Sequence, residues 1–544
     1  MLDLEVKEHH GGRASGVAPH GFRENLIDAQ RFVITLELVP GPESHGRSVD
    51  TIKAIAEDAR KDGRVSAVSI TDNPGGNPSL SPDALGREIL DQGMDVIVHC
   101  TCRDLNRAGL ESRALQLSRM GLKNILALTG DYAGSGFAGQ AQPVFDLDSV
   151  TLICLLHALN VRAGGAGDRS NPPAHGGFCV GCAVSPFKWT EAECFAQYAK
   201  LRLKRAVCAD FVMTQLGYDA RKFQELLQVQ RLMKMEVPTF GTVFLLTPGA
   251  ARAMNRGHVP GAAVTDELLQ RVTGAQDGKD AAIEGAARLA AVLKGLGYRG
   301  IHLGGVHRSF DAVERILNRI ETVQEEWREF LPDFNWGRPD GFYVFERDPG
   351  GPLSSNRLSP RTSRCGFFER LLARMLRGVH DGFFRFGSPA AKPCERLAAF
   401  LDRSRLGRGV TMLVEDVTKS VLFSCERCGD CALQDVGFLC PESQCPKHMR
   451  NGACGGSDAG RCEAEPKRPC VWVRCYNRLA AVGQAERMNA TCVPPRMWEL
   501  NGTPSWLNFH LRRDHQSPSC AIARQFGLKP CPARKSSADG GEPA

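Results

Sequence analysis

Residues Phe32–Val39 read FVITLELV, a β-rich run broken by a single charge, Glu37, between Leu36 and Leu38. Seven more runs of this kind follow: Val65–Ile70 (VSAVSI), Asp95–Cys100 (DVIVHC), Asn124–Thr129 (NILALT), Phe178–Val184 (FCVGCAV), Cys208–Thr214 (CADFVMT), Val237–Leu245 (VPTFGTVFL) and Arg299–Leu303 (RGIHL). Between them lie amphipathic segments such as Val49–Lys61, Ser81–Gln92, Ala108–Met120, Glu191–Arg205, Ala220–Lys234 and Ala281–Leu296. Short strands alternating with helical patterns are the sequence form of a parallel sheet of βα units. Eight such pairs predict an α/β fold, a (β/α)8 TIM barrel, whose chemistry lies at the C-terminal ends of its strands.

Those ends carry Glu37, Thr71 with Asp72, His99 with Thr101, Thr129 with Asp131, Ser185, Gln215 and His302. A carboxylate placed like Glu37 loses solvation, which raises its pKa toward the range useful for proton donation. The alternative is an edge glutamate in a salt bridge. Asp131, after Gly130, can equally cap a turn or a helix. Gly134, Gly136 and Gly139 fit G-x-G-x-x-G behind a strand, but Pro143 follows and no helix opens, so the dinucleotide context is missing and a flexible loop is expected.

The 544 residues are 42% hydrophobic and 24% charged, an ordinary globular composition of two or more domains. The net charge of +7 is a small surplus, and with 7% aromatics there is no dense basic stripe for nucleic acid. The longest apolar stretch, Val150–Val161 (VTLICLLHALNV), is interrupted by His157 and Asn160 and falls short of a membrane span of ~18 residues. The first 25 residues lack the apolar core of a secretory signal, so a cytoplasmic protein with no membrane association is expected.

The 21 cysteines are unevenly spread: seven between Cys100 and Cys208, then Cys365 and Cys394, nine from Cys425 to Cys475, and three beyond. This divides the chain into a disordered tail at 1–25, a barrel at 26–325, a connecting region at 326–415, a cysteine-rich module at 416–513 and a disordered tail at 514–544. In a reducing compartment, thiols so dense read as metal ligands rather than disulfides. Cys425, Cys428 and Cys431 have the C-x2-C-x2-C spacing of a [4Fe–4S] site, with a fourth ligand from farther along, and Cys440, Cys445, Cys454, Cys462, Cys470 and Cys475 are the candidates that follow. Four-thiolate zinc sites also use C-x2-C pairs, so zinc stays open.

Thr35-Leu36-Glu37-Leu38-Val39-Pro40, Ser69-Ile70-Thr71-Asp72, His99-Cys100-Thr101-Cys102, Ala127-Leu128-Thr129-Gly130-Asp131 and Thr214-Gln215 together resemble, in order, the strand-end motifs of methylenetetrahydrofolate reductases. The resemblance implies a flavin barrel carrying FAD, with FMN the alternative. It would move a hydride from NAD(P)H, or electrons from a partner protein, to 5,10-methylenetetrahydrofolate and give 5-methyltetrahydrofolate in one-carbon and methionine metabolism. It further implies that Glu37 is the general acid and that Asp131 lies near both flavin and pterin. Thr71, His99, Ala183 and Lys204 would contact the flavin and its phosphates, and Gln215 the pterin.

The chemistry fits those residue types. A methylene bridge between two nitrogens accepts hydride only after one C–N bond breaks, so the departing nitrogen needs a proton donor. The iminium left behind needs a fixed negative charge nearby. Pro40-Gly41 departs from the paired prolines frequent in the family, and Gly164–Gly177 is a Gly/Pro-rich loop of unsettled alignment. Nothing beyond about 325 resembles the S-adenosylmethionine-binding regulatory domain of the animal enzymes. The segment from Gly341 through Cys425–Tyr476 to Phe509 is similar to the C-terminal domain fused to, or partnered with, some bacterial members. There an electron-transfer partner is implied, and a homo-oligomer is expected. Two other readings remain: a methyltetrahydrofolate-binding methyltransferase barrel, and an electron-transfer subunit whose barrel no longer catalyses.

Overall fold

The computed structural model describes residues 21–162, 177–259 and 261–517. Eight strands close a parallel barrel: β1 (Val33–Leu38), β2 (Ala67–Ile70), β3 (Val96–Thr101), β4 (Asn124–Leu128), β5 (Cys179–Val184), β6 (Phe211–Thr214), β7 (Thr239–Phe244) and β8 (Gly300–Gly304). Each pairs in parallel with its neighbours in the chain, and β8 closes on β1 with Thr35 opposite His302. All eight expected runs became strands, each trimmed or shifted at its ends. The period of two sends Leu36 and Leu38 outward to the helices and Val33, Thr35 and Glu37 inward.

The barrel helices are α2 (Arg47–Asp62), α3 (Pro82–Asp91), α4 (Arg107–Arg119), α5 (Ser149–Arg162), α6 (Glu191–Ala206), α7 (Ala220–Leu232), α8 (Pro248–Asn255), α9 (Asp266–Thr273), α10 (Gly278–Leu296) and α11 (Asp311–Val323). The apolar stretch Val150–Val161 is α5, and among the described residues no helix is long and apolar enough to cross a membrane. Gly134–Gly139 falls in a loop with a two-residue-strand hairpin, Ser135–Gly136 against Gly139–Gln140. Most of the Gly164–Gly177 loop lies outside the described residues.

The expected tail at 1–25 is corrected at its inner end, because Phe22–Ile27 form a helix, α1. Its Phe22 and Leu26 plug the barrel floor, with the Phe22 ring 5.3 Å from Phe211 and 6.1 Å from Phe240. Burying two such side chains contributes about 1.5–3 kcal/mol each. In the same layer, a Cβ on Gly181 would stand 2.2 Å from the Phe211 ring, so only glycine lets that ring cross the axis.

Beyond the barrel a small hairpin pairs Phe345–Arg347 with Ser354–Leu358, and α12 (Phe367–Phe383), α13 (Ala391–Asp402) and α14 (Arg405–Phe423) follow. The boundary expected at 415/416 therefore falls inside α14. The remaining helices are short: α15 (Pro441–Gln444), α16 (Val471–Ala480) and α17 (Ser505–His510). The boundary expected at 513/514 is also corrected, since Asp514, His515 and Ser517 are buried and His515 pairs with Asp430. The module docks on the barrel through α5 and α6: Asn451 N–H donates to Asp148 (3.1 Å), Lys200 Nζ to the Gly452 carbonyl (3.3 Å) and Tyr476 Oη to Glu191 (2.7 Å).

Candidate active site

Glu37 ends β1 with about a quarter of its side chain exposed, its Oε1 3.9 Å from His302 Nε2. His302 shares a 2.9 Å hydrogen bond through Nδ1 with Thr35 Oγ1, and His99 shares one of 2.7 Å through Nε2 with Ser69 Oγ. Burial pushes the Glu37 carboxyl up, but the closeness of His302, and to a lesser degree of His99 and His307, outweighs it. The net shift is downward, so the expectation of a raised pKa is corrected. Burial also pulls His99 down to about 4, against the opposing charge of Glu37, and keeps that ring neutral near pH 7.

Asp131 follows Gly130, whose φ of +92° and closeness to Thr101 favour glycine at this turn. The Asp131 carboxylate accepts from the Gly75 N–H at 3.1 Å. Burial pushes its pKa up, the Lys447 charge opposes this, and the Glu463 charge adds to it. Lys447 belongs to the C-terminal module. Its buried ammonium donates to the Gly130 carbonyl at 2.8 Å and pairs with Glu463. Nothing in the sequence pattern marked Lys447 or Glu463, because their meeting with the Gly130–Asp131 turn spans more than 300 residues.

Thr71 and Ser185, at the ends of β2 and β5, are buried, and their hydroxyls lack a hydrogen-bond partner. Two orphaned hydroxyls at one end of a barrel fit a polar ligand lying across it. Ala183 sits among the inward positions of β5, and Gln215, just past β6, accepts from the Leu216 N–H at 2.9 Å. Lys204 is placed differently. It lies between α6 and β5, with Nζ donating to the Ala183 carbonyl at 2.6 Å, and burial lowers its pKa to about 8. Asp72 is used structurally, accepting from Thr101 N–H (3.0 Å) and Arg113 (2.8 Å).

The nineteen described cysteines are all free thiols. The module's thiols fall into two groups. Cys425, Cys428, Cys431 and Cys440 line one narrow cavity, with Lys419 Nζ 3.7 Å from Cys431 Sγ. Cys445, Cys454, Cys462 and Cys470 form the other: Cys445 feels the charges of Cys454 and Cys462, and Cys470 those of Cys454 and Cys445. Cys454 Sγ also lies 3.7 Å from the Glu463 carboxylate. Cys475 stands apart, buried on α16 against Gly437. Among the described residues, no three His, Cys, Asp or Glu side chains are already drawn together as a metal's ligands.

The family described as Methylenetetrahydrofolate reductase matches residues 23–321, and the family described as Methylene-tetrahydrofolate reductase C terminal matches 408–499. A Caenorhabditis elegans protein described as a probable methylenetetrahydrofolate reductase (NADPH) is 26% identical over 211 residues, 37% of this chain. The chain covers 28% of that relative's length. Among solved structures, a Clostridium thermocellum protein that binds two copies of 5-methyl-5,6,7,8-tetrahydrofolic acid is similar at 11% identity. It covers 56% of this chain and 98% of its own, with a TM-score of 0.38. A 2,3-dimethylmalate lyase is similar at 13% identity, covering 56% and 84%, with a TM-score of 0.30.

Proposed function

Because the chain belongs to the methylenetetrahydrofolate reductase family, we propose that its barrel reduces 5,10-methylenetetrahydrofolate to 5-methyltetrahydrofolate. The observation that carries this reading is the gathering of Glu37, Thr71, His99, Asp131, Ala183 and Gln215 at one end of the barrel, with two buried hydroxyls there awaiting partners.

A bound FAD, or FMN, would supply the two-electron step between NAD(P)H, or a partner protein's electrons, and the substrate carbon. Thr71, His99 and Ala183 would hold its ring, and Lys204 would act by bracing the Ala183 strand. Glu37 would deliver the proton that lets the bridge nitrogen depart. His302 keeps the carboxyl charged in the open site, so Glu37 would take up a proton from solvent as substrate arrives, displaces water and strengthens the burial that favours the acid form. Asp131, aimed by the Gly75 N–H and balanced by Lys447, would face the iminium cation, and Gln215 would hold the pterin.

In the module, the two thiol groups would each hold zinc or an iron–sulfur cluster, Lys419 and Lys447 offsetting thiolate charge. Cys475 would lie outside both groups. Replacing Glu37 by Gln should leave NAD(P)H oxidation with an artificial acceptor intact and slow folate reduction by about 10²–10⁴-fold. Unchanged folate turnover would remove Glu37 from the acid role. A purified protein with no flavin absorbance that still bound methyltetrahydrofolate would favour the methyltransferase reading.

A further inference from the structure

α14 is built inside out. It buries Thr411, Glu415, Lys419 and Phe423, with Glu415 and Lys419 paired and bound to Ser505, and turns Leu406, Val410, Leu413, Val417 and Val421 to solvent. α12 repeats the inversion. Only Ala373 is buried on it, while Phe367, Phe368, Leu371, Met375, Val379 and Phe383 face outward. α13 adds Leu397 and Phe400, and all thirteen of these outward side chains are 46 to 83% exposed. The helices are fixed to the module, because α13 packs on α17, and before it Phe384 and Phe386 lie against Trp506 and Phe509.

Cations are set among the apolar side chains. Arg374 lies on α12, Arg385 in the turn after it, Lys392 and Arg396 on α13, Arg403 at its end, and Arg405 and Arg408 in the first turn of α14. All seven are exposed, against two exposed acids in the same stretch, Asp381 and Glu395. From Phe367 to Arg408 nine Arg and Lys stand against four Asp and Glu, so the stretch carries +5 of the chain's net +7. The other two acids are already engaged: Glu369 pairs with Arg474 and Arg478 of the module, and Asp402 with Arg513 and, at 3.9 Å, with Arg408.

We propose that α12–α14 dock this protein on the surface of an anionic bilayer. Apolar and basic side chains mixed on the outward side of a helix are what an interfacial helix presents. The apolar ones enter the boundary between headgroups and acyl chains, and the arginines and lysines snorkel to the lipid phosphates. A second copy of this face would bring like charges together, which opposes pairing. An acidic protein would have to match each cation with an acid of its own across three helices, whereas an anionic leaflet attracts a cation wherever it falls. The missing membrane span bears on crossing alone, and surface docking needs none. Met412, Glu415, Lys419 and Phe423 of α14 wall the cavity of Cys425, Cys428, Cys431 and Cys440. Docking therefore sets that thiol group one helix diameter, about 10–12 Å, from the lipid.

The test is flotation of the full chain with vesicles. The wild type should float with vesicles of equal parts phosphatidylcholine and phosphatidylglycerol, and bind phosphatidylcholine alone at least about tenfold more weakly. Salt at about 1 M, where the Debye length is about 3 Å, should weaken its hold on the mixed vesicles. Arg396→Glu with Arg403→Glu removes two cations, each worth roughly fivefold at such a surface, and should cut binding at least about 25-fold. Arg396→Lys with Arg403→Lys should bind like the wild type. Phe400→Ser with Leu413→Ser should lose binding at every salt concentration. The lipid and salt comparisons use the wild type, so they hold whether or not a variant folds. A wild type that does not float overturns the proposal, and if it instead binds polyglutamate through the same arginines, the occupant is an acidic protein. Flotation that is equal on both vesicles, or that neither the glutamate nor the serine pair reduces, overturns it as well.

Discussion

The barrel and the module that follows it are stabilised in opposite ways. The barrel buries leucine, isoleucine and valine between strands and helices, with few ion pairs among them, such as Lys222–Glu225 on α7. The module buries ions and thiols beside apolar residues such as Val436, Leu439, Trp472 and Leu479. Asp430, Arg450 and His515 meet in its interior, Glu415 pairs with Lys419, and its thiols cluster, while the apolar stripes of α12 and α14 face out. A region that spends its interior on charge gains little net free energy from it, because desolvation offsets attraction. A metal held by its thiols, as proposed above, would add the bonds that such an interior does not supply.

Cys428→Ser combined with Cys431→Ser tests that contribution most severely. Losing a metal–thiolate site should cost the module on the order of 10 kcal/mol, seen as proteolytic cleavage within 341–517 while 21–325 survives as a fragment. A double variant as resistant as the wild type would mean the polar network suffices alone. Asp430→Ala, which leaves Arg450 and His515 buried without their carboxylate, should cost about 3–5 kcal/mol, read as an earlier urea transition of the module's tryptophans.

The network also sets a pH window. Burial pulls the His515 pKa down, but Asp430 and then Asp435 overcome it and hold it up to about 10. A raised folded-state pKa gives stability that is fully present below the unfolded value and lost as pH rises through the folded one. Between about pH 6.5 and 10, the module should therefore loosen while the barrel's circular dichroism holds. Simultaneous loss of both would merge the two regions into one cooperative unit.

Lys447→Met probes the seam between them. Without the ammonium the Asp131 carboxyl loses its opposing charge and its pKa rises further. Folate turnover should fall about tenfold, and the limb of the pH profile set by this carboxyl should move to higher pH, with NAD(P)H oxidation by an artificial acceptor unchanged. Lys279→Ala, which breaks only the exposed pair with Asp311, should move no measured quantity.

Strand positions were legible because each barrel strand is short, apolar and bounded by its own helix, so local pattern and final environment agree. Glu37 was legible as the charge in an apolar run, but the sign of its pKa shift was not. Desolvation can be read from neighbouring leucines, whereas His302, which reverses it, is brought near only by closure of β8 on β1. The 326–415 region misled for the opposite reason. It reads only as a connection, yet it holds α12, α13 and the start of α14, and α14 turns its apolar face outward.

From sequence alone came the eightfold alternation, the polar residues at the strand ends and the density of thiols, all of which depend on neighbours within a turn or a strand. The tertiary structure decided what distance along the chain conceals: that Lys447 reaches the Asp131 turn, that Lys204 braces a strand, that eight thiols divide into two groups, and which face of α14 meets water. These are choices between environments that the local pattern permits equally, and the free energy separating them resides in contacts hundreds of residues apart.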